Sequence, residues 1–204
     1  ERKAQCDPDT MYHHQAMKEP DSDLFRQAMV KEVRDQMDNK NFDIVLRSSV
    51  PKGATILPAV WQMKRKRDIK TGTIKKYKAR LNIDGSRMQK GKDFDLTYAP
   101  VATWNAIRLV LALVLINGWC TVQLDYVLAF PQAPIERQLY MTMPKGMKIV
   151  KGDPKDYVLK IKRNIYGQKQ AGRVWNKFLV TKLTSKEIGF TQSKFDECVF
   201  YKNN

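Results

Sequence analysis

Cysteine, histidine and long apolar runs are scarce in this 204-residue chain, and each scarcity removes a class of function. Three scattered cysteines (Cys6, Cys120, Cys198) and two adjacent histidines, with no Cys-x-x-Cys spacing, support neither a disulfide framework nor a zinc site. A reducing, intracellular setting is the default expectation. The longest apolar run, Leu109 to Ile116, falls far short of the ~20 residues that span a bilayer, and no charged-apolar-small leader opens the chain, so no membrane partner is expected. Ten glycines and nine prolines exclude a collagen-like repeat, and neither an internal repeat nor a low-complexity tract is visible. Hydrophobic residues make up 43% of the chain, enough for the core of one domain or two small subdomains in contact. Opening on Glu1, and with its last residues, Phe200-Tyr201-Lys202-Asn203-Asn204, leaving an apolar stretch without cap or tail, the sequence reads as a piece of a longer polypeptide.

Acidic residues are also few: 21 against 37 Lys and Arg, a formal charge of +16. The excess is concentrated. Residues 61–92 hold twelve Lys and Arg against Asp68 and Asp84, and residues 144–177 hold ten against Asp153 and Asp156, while residues 1–58 and 93–143 are close to neutral. Two basic blocks are the footprint of a polyanion partner, because Lys and Arg facing phosphates release condensed counterions. Lys64, Arg65, Lys66, Arg67, Lys75, Lys76 and Arg173 are the candidate nucleic-acid contacts; the alternative for such blocks is a solvated charged face.

Local patterns place these blocks on an α+β framework. Residues 1–20 lack a period and read as a linker or upstream tail. Residues 22–39 predict a helix, capped by Ser22 or Asp23, with Phe25, Met29, Val33 and Met37 on one face. Phe42–Leu46 predicts a strand. Ala59–Lys66 and Thr73–Ile83 flank a short Gly-containing link and predict a hairpin that carries the first basic block. Residues 104–117 predict the best-buried helix, stopped by Gly118. Trp119–Tyr126 alternates apolar and polar residues as a strand does, Tyr140–Met143 and Tyr157–Ile161 predict further strands, and Ala171–Ser185 predicts a helix. This order indicates α+β, not a regular βαβ alternation. Asp125 ends the Trp119–Tyr126 segment, where burying a carboxylate is costly unless it meets a cation or a donor. It is either a metal ligand or a cap or ion-pair partner.

The ordered set of motifs resembles the reverse transcriptases of copia-type LTR retrotransposons from Phe25 to the C-terminus. Its pieces are Ala28 and Glu32, Trp61 to Lys66, Tyr77-Lys78-Ala79-Arg80-Leu81, Gly85 and Gln89, Ala99-Pro100-Val101-Ala102 with Ile107-Arg108, and Gln123-Leu124-Asp125 with Ala129-Phe130. They continue with Tyr140-Met141, Pro144 and Gly146, Tyr166-Gly167 with Lys169-Gln170-Ala171, Arg173, Trp175, Gly189-Phe190 and Asp196. The resemblance implies a right-hand polymerase: fingers over residues 21–104 and 131–165, and palm over 105–130 and 166–204, truncated before the second catalytic carboxylate motif. It implies RNA-directed DNA polymerase activity by two-metal nucleotidyl transfer. Asp125 would be catalytic residue and ligand to two Mg²⁺ ions, which such chemistry holds roughly 4 Å apart. Lys78 and Arg80 would hold the triphosphate, Phe130 would exclude a 2′-hydroxyl, Tyr166 would line the sugar, and Lys169 and Gln170 would face template or nucleotide. The implied partners are an RNA/DNA primer-template, deoxynucleoside triphosphates and the remainder of a polyprotein (thumb, RNase H, integrase), working in a cytoplasmic particle or the nucleus.

The sequence departs from the family in several places. No Asp-Asp pair, and so no Tyr-x-Asp-Asp turn, occurs in the 204 residues, which implies that they are inactive alone. Tyr126 stands for the usual Val, Pro131-Gln132-Ala133 for Leu-Asn-Gly, Gln168 for Leu, Gly172 for Pro, and Asp84 for a basic or small residue. A non-enzymatic basic nucleic-acid-binding module, or a decayed retroelement product, is the alternative reading.

Overall fold

In the computed structural model, residues 7–147 and 152–202 are described; Lys148 and Lys151 of the second basic block lie outside them. In chain order the elements are β1 (Thr10–Tyr12), α1 (His13–Ala16), α2 (Ser22–Asp38), β2 (Phe42–Leu46), β3 (Ile56–Leu57), β4 (Ala59–Arg67) and β5 (Ile74–Ile83). They continue with α3 (Trp104–Asn117), α4 (Ala129–Gln132), β6 (Tyr140–Thr142), β7 (Tyr157–Ile161), α5 (Ala171–Leu183), β8 (Thr191–Gln192) and β9 (Phe200–Tyr201).

β4 and β5 pair antiparallel, with Gln62 opposite Arg80, Lys64 opposite Lys78 and Lys66 opposite Lys76. Because side chains alternate along a strand, these even-numbered residues share one face, and Trp61, Met63, Ala79, Leu81 and Ile83 share the other. That odd face is buried against α2, where Phe25 meets Tyr77 edge-on with ring centroids 5.0 Å apart. The turn between the strands is closed by Asp68, whose side chain accepts the N–H groups of Lys70 and Thr71, and by Gly72 at φ +69°. A second sheet, ordered β2-β7-β6-β3, is antiparallel except for the β3-β6 pair, and buries Phe42, Leu57, Met141, Val158, Leu159 and Ile161. β8 and β9 form a small separate ribbon.

Five expectations are corrected. The supposed tail joins the fold: β1 pairs with β4, Met11 and Ala16 are buried, and the arm wraps the free edge of the hairpin. α2 is capped at Asp21 and neither Ser22 nor Asp23, and Asp21 turns its carboxylate to Arg65 at 2.6 Å. Met37 is exposed; Gln36 takes its place inside, donating to Glu32 at 3.0 Å and accepting from Asn41 at 2.7 Å. Finally, α3 forms but is not buried, and Trp119–Tyr126 is not a strand.

The last two corrections have one cause. Thr103 accepts the Ala106 N–H and Gly118 adopts φ +62°, so the ends of α3 are set locally. Burial requires an opposing layer, and a strand requires a hydrogen-bonded neighbour. The described residues supply neither to residues 104–126. No helix among them is long and apolar enough to cross a membrane.

Candidate functional site

Asp125 lies where the unpaired segment after α3 passes the hairpin. It is exposed, and it lines a cleft of about 580 Å³ whose other walls include Lys76, Lys78 and Arg80 of β5, Glu32 and Asp35 of α2, Tyr126, and Tyr166. Asp125, Lys78, Arg80 and Tyr166 therefore share one hollow, although they come from three separate stretches of chain. Arg80 has no carboxylate partner among the described residues; its guanidinium lies over the Tyr166 ring, 5.4 Å from the centroid. That ring also neighbours Phe130 on α4, at 5.4 Å between centroids.

The turn carrying Tyr166 is locked to the end of β5. Ile83 donates its N–H to the Tyr166 carbonyl at 2.9 Å, and Gly167, at φ +91°, lies flat against the Ile83 backbone. Gly85 reciprocates, since a Cβ there would sit 2.0 Å from the Gly167 carbonyl oxygen. Asp84, out of keeping with the resemblance, acts locally. It accepts the N–H of Ser86 at 3.1 Å and its hydroxyl at 2.6 Å, capping the short turn that holds Gly85 in place.

The electrostatics single out β5. Burial, reinforced by repulsion from Lys66, Arg80 and Lys76, pushes the Lys78 ammonium below its ordinary lysine value. Lys66 and Lys76 also lack carboxylate partners among the described residues. The other expected nucleic-acid contacts are already engaged. Asp7 holds Lys64 at 2.9 Å, Asp9 grips Arg67 through two hydrogen bonds of 2.7 and 3.0 Å, and Asp21 grips Arg65 at 2.7 and 2.6 Å with Glu19 adding a third contact at 2.8 Å. Lys75 pairs with Asp68, and Arg173 with Glu136 at 3.1 Å. Arg65 is almost enclosed and packs over Phe25, so it is a structural anchor and not a surface contact. The Arg65 guanidinium and smaller hydrogen bonds hold the Asp21 carboxyl down at about 2, and Lys64 with Thr10 does the same to Asp7, also about 2.

Lys169 and Gln170 stand apart from the cleft. Lys169 lies over Phe94 at 5.0 Å and reaches the Met88 carbonyl. Gln170 is buried, 1% exposed, with neither amide atom hydrogen-bonded, and Gln168 beside it is in the same condition at 6%. Burying an amide without partners costs ~1–3 kcal/mol. Gln168→Leu, which removes both orphaned atoms at nearly constant volume, is therefore expected to stabilise the fold by roughly 1–2 kcal/mol, read as a higher urea midpoint at unchanged slope.

As a metal site the arrangement is incomplete. A carboxylate suits a hard divalent cation, and Asp125 makes no ion pair with any described residue, but no group of three His, Cys, Asp or Glu that could hold a metal ion occurs among those residues. The acidic arm was missed by sequence reasoning. The clustering of Asp7, Asp9, Glu19 and Asp21 just ahead of a basic hairpin was the available signal.

Comparison with known proteins places this geometry in context. The reverse transcriptase (RNA-dependent DNA polymerase) family matches residues 39–204. The retrovirus-related Pol polyprotein from transposon RE2 of Arabidopsis thaliana is 36% identical over 186 residues, 91% of this chain and 12% of that protein. The corresponding polyprotein from transposon RE1 of the same plant is 33% identical over 91% of the chain and 12% of its own length, and that from transposon TNT 1-94 of Nicotiana tabacum is 30% identical over 92% and 14%. The chain thus spans only a small part of the curated relatives it matches. No solved structure matches it.

Proposed function

The chain belongs to the reverse transcriptase (RNA-dependent DNA polymerase) family, and from that premise we propose that it is the nucleotide-gripping part of an RNA-directed DNA polymerase, working within a retrotransposon Pol polyprotein. The observation that supports this reading is the common cleft of Asp125, Lys78, Arg80 and Tyr166. On this reading residues 21–104 and 131–165 are fingers of a right-hand polymerase, and residues 105–130 and 166–204 belong to its palm.

The chemistry follows from charge and shape. Nucleotidyl transfer concentrates negative charge on a triphosphate, and catalysis is largely positioning plus fixed positive charge. Lys78 and Arg80 project from the hairpin and pair with no carboxylate among the described residues, so a triphosphate entering the cleft offsets the burial and the repulsion that push the Lys78 ammonium down. Arg80, held over the Tyr166 ring, loses little freedom when it presents its guanidinium to phosphate oxygens. Tyr166 lines the cleft where the sugar would rest, and Phe130 packs against its ring. Asp125 contributes one carboxylate toward a magnesium site whose remaining ligands are not among these residues; when bound, the ions would activate the primer hydroxyl and hold the triphosphate.

The test is templated primer extension with Mg²⁺ by a Pol polypeptide that includes this segment. Phe130→Ala is expected to admit ribonucleotides, lowering discrimination against a 2′-hydroxyl by about 1–3 kcal/mol, or roughly 10- to 200-fold. A polypeptide that fails to polymerise, yet binds primer-template equally well with and without Asp125, would instead establish a non-enzymatic nucleic-acid-binding module. That no group of three potential metal ligands occurs among the described residues favours that second reading.

A further inference from the structure

The outward, even-numbered face of the hairpin holds a second, smaller cavity of about 130 Å³, lined by Thr10, Gln62, Lys64, Lys66, Lys78 and Arg80. Lys78 and Arg80 also line the Asp125 cleft, so the two hollows are joined along one cationic track. Across the strands Lys64 faces Lys78 and Lys66 faces Lys76, an opposition of like charges that destabilises a sheet unless an anion is shared between them. Among the described residues one carboxylate answers this face. Asp7 reaches Lys64 at 2.9 Å, and is itself steadied by the Thr10 hydroxyl at 2.8 Å and the Asp9 N–H at 3.0 Å. Thr10 thus stands both in the cavity wall and behind the carboxylate at its rim.

Resting on the polymerase reading above, we propose that this cavity receives a backbone phosphodiester of a nucleic-acid strand, and that Asp7 is its built-in competitor, holding Lys64 until the strand displaces it. The lining explains the choice of ligand. Four cations, one amide and one hydroxyl offer donors to phosphate oxygens, and there is no aromatic side chain to receive a base or sugar. Strand binding exchanges one exposed ion pair for another, which costs little, and releases counterions from the phosphate. With its carboxyl held near 2, Asp7 remains a charged competitor at all physiological pH values.

The experiment titrates the 204-residue chain with a labelled single-stranded oligodeoxynucleotide by fluorescence anisotropy, and with a deoxynucleoside triphosphate in parallel. Asp7→Asn is expected to tighten oligonucleotide binding roughly 2- to 5-fold, because Lys64 no longer has to leave an ion pair before it meets the strand. Lys66→Gln is expected to weaken the oligonucleotide by a similar factor and leave the triphosphate unchanged, since Lys66 lines the outer cavity and not the cleft. Arg80→Gln should weaken both. Unchanged oligonucleotide affinity in Lys66→Gln overturns the phosphate site. Unchanged or weaker affinity in Asp7→Asn, with the β-sheet circular dichroism retained, overturns the competitor. In either case the polymerase reading stands as long as Arg80→Gln weakens the triphosphate, and it falls if Arg80→Gln weakens neither ligand. Should Asp7→Asn unseat the arm, Lys66→Gln decides the site alone, because its side chain is exposed and outside the core.

Discussion

Gly167→Ala is expected to destabilise the chain by about 2–5 kcal/mol, a large part of a domain's stability. Two costs add. The residue sits at φ +91°, where a Cβ meets its own backbone, at ~1–2 kcal/mol. The new Cβ would also lie 2.1 Å from the Ile83 carbonyl oxygen and 3.1 Å from the Ile83 nitrogen, an overlap with backbone that no rotamer change relieves; overpacking of this kind costs typically ~1–3 kcal/mol. Gly72→Ala is the control. It sits at φ +69° with nothing within 4 Å of the added carbon, so it carries the conformational cost alone, about 1–2 kcal/mol. Urea titrations of both variants decide the matter. Equal midpoints would mean that the contact between residues 83–85 and 166–167 does not form in solution. Because that contact sets the position of Tyr166, any folded Gly167→Ala protein should also bind triphosphate more weakly, through misplacement of Arg80.

Asp125→Ala is expected to reduce primer extension by a Pol polypeptide containing this segment by at least ~10³-fold, since a metal-held charge supplies several kcal/mol of transition-state stabilisation at ~1.4 kcal/mol per tenfold. Asp125→Asn should be nearly as damaging, because charge and not hydrogen bonding is at stake. Folding should be untouched, as the side chain is exposed and outside the core. The informative comparison is with Lys78→Gln and Arg80→Gln, whose losses should show mainly in the concentration of nucleotide needed. Full polymerisation by Asp125→Ala would remove the catalytic role and leave a binding surface.

These residues also mark how far a sequence can be read. The β4-β5 hairpin, α2, α5 and the β2, β6 and β7 strands were legible because their signals are local: alternation, a four-residue apolar stripe, a Gly-bearing turn. The Trp119–Tyr126 segment carries the same alternation, yet a strand exists only with a partner, and that depends on residues distant in the chain. α3 is the parallel case, a helix written by its caps and composition whose burial is not written there. At the site, the grouping of Asp125 with Lys78, Arg80 and Tyr166 came from the order of motifs, a resemblance and not a periodicity. The engagement of Lys64, Arg65 and Arg67 by carboxylates 44 to 58 positions away could not be seen from either, because charge counting treats a cation as available until its neighbours in space are known. Gln168 and Gln170 were obscured in the same way: a glutamine reads as surface, and here the turn carries both inside.

The two-sided character of the β4-β5 ribbon sets a rule for how this segment tolerates insertions and deletions. Adding or removing a single residue between Trp61 and Lys66 would turn every following side chain over, sending ammonium groups toward Phe25 and leaving Trp61's neighbours in water. A change of two residues would keep each on its side, and the irregular pairing at Lys66 and Arg67 is the place where a single extra residue is already absorbed. Length variation among descendants of this element should therefore collect in the 68–72 turn and avoid the strands on either side.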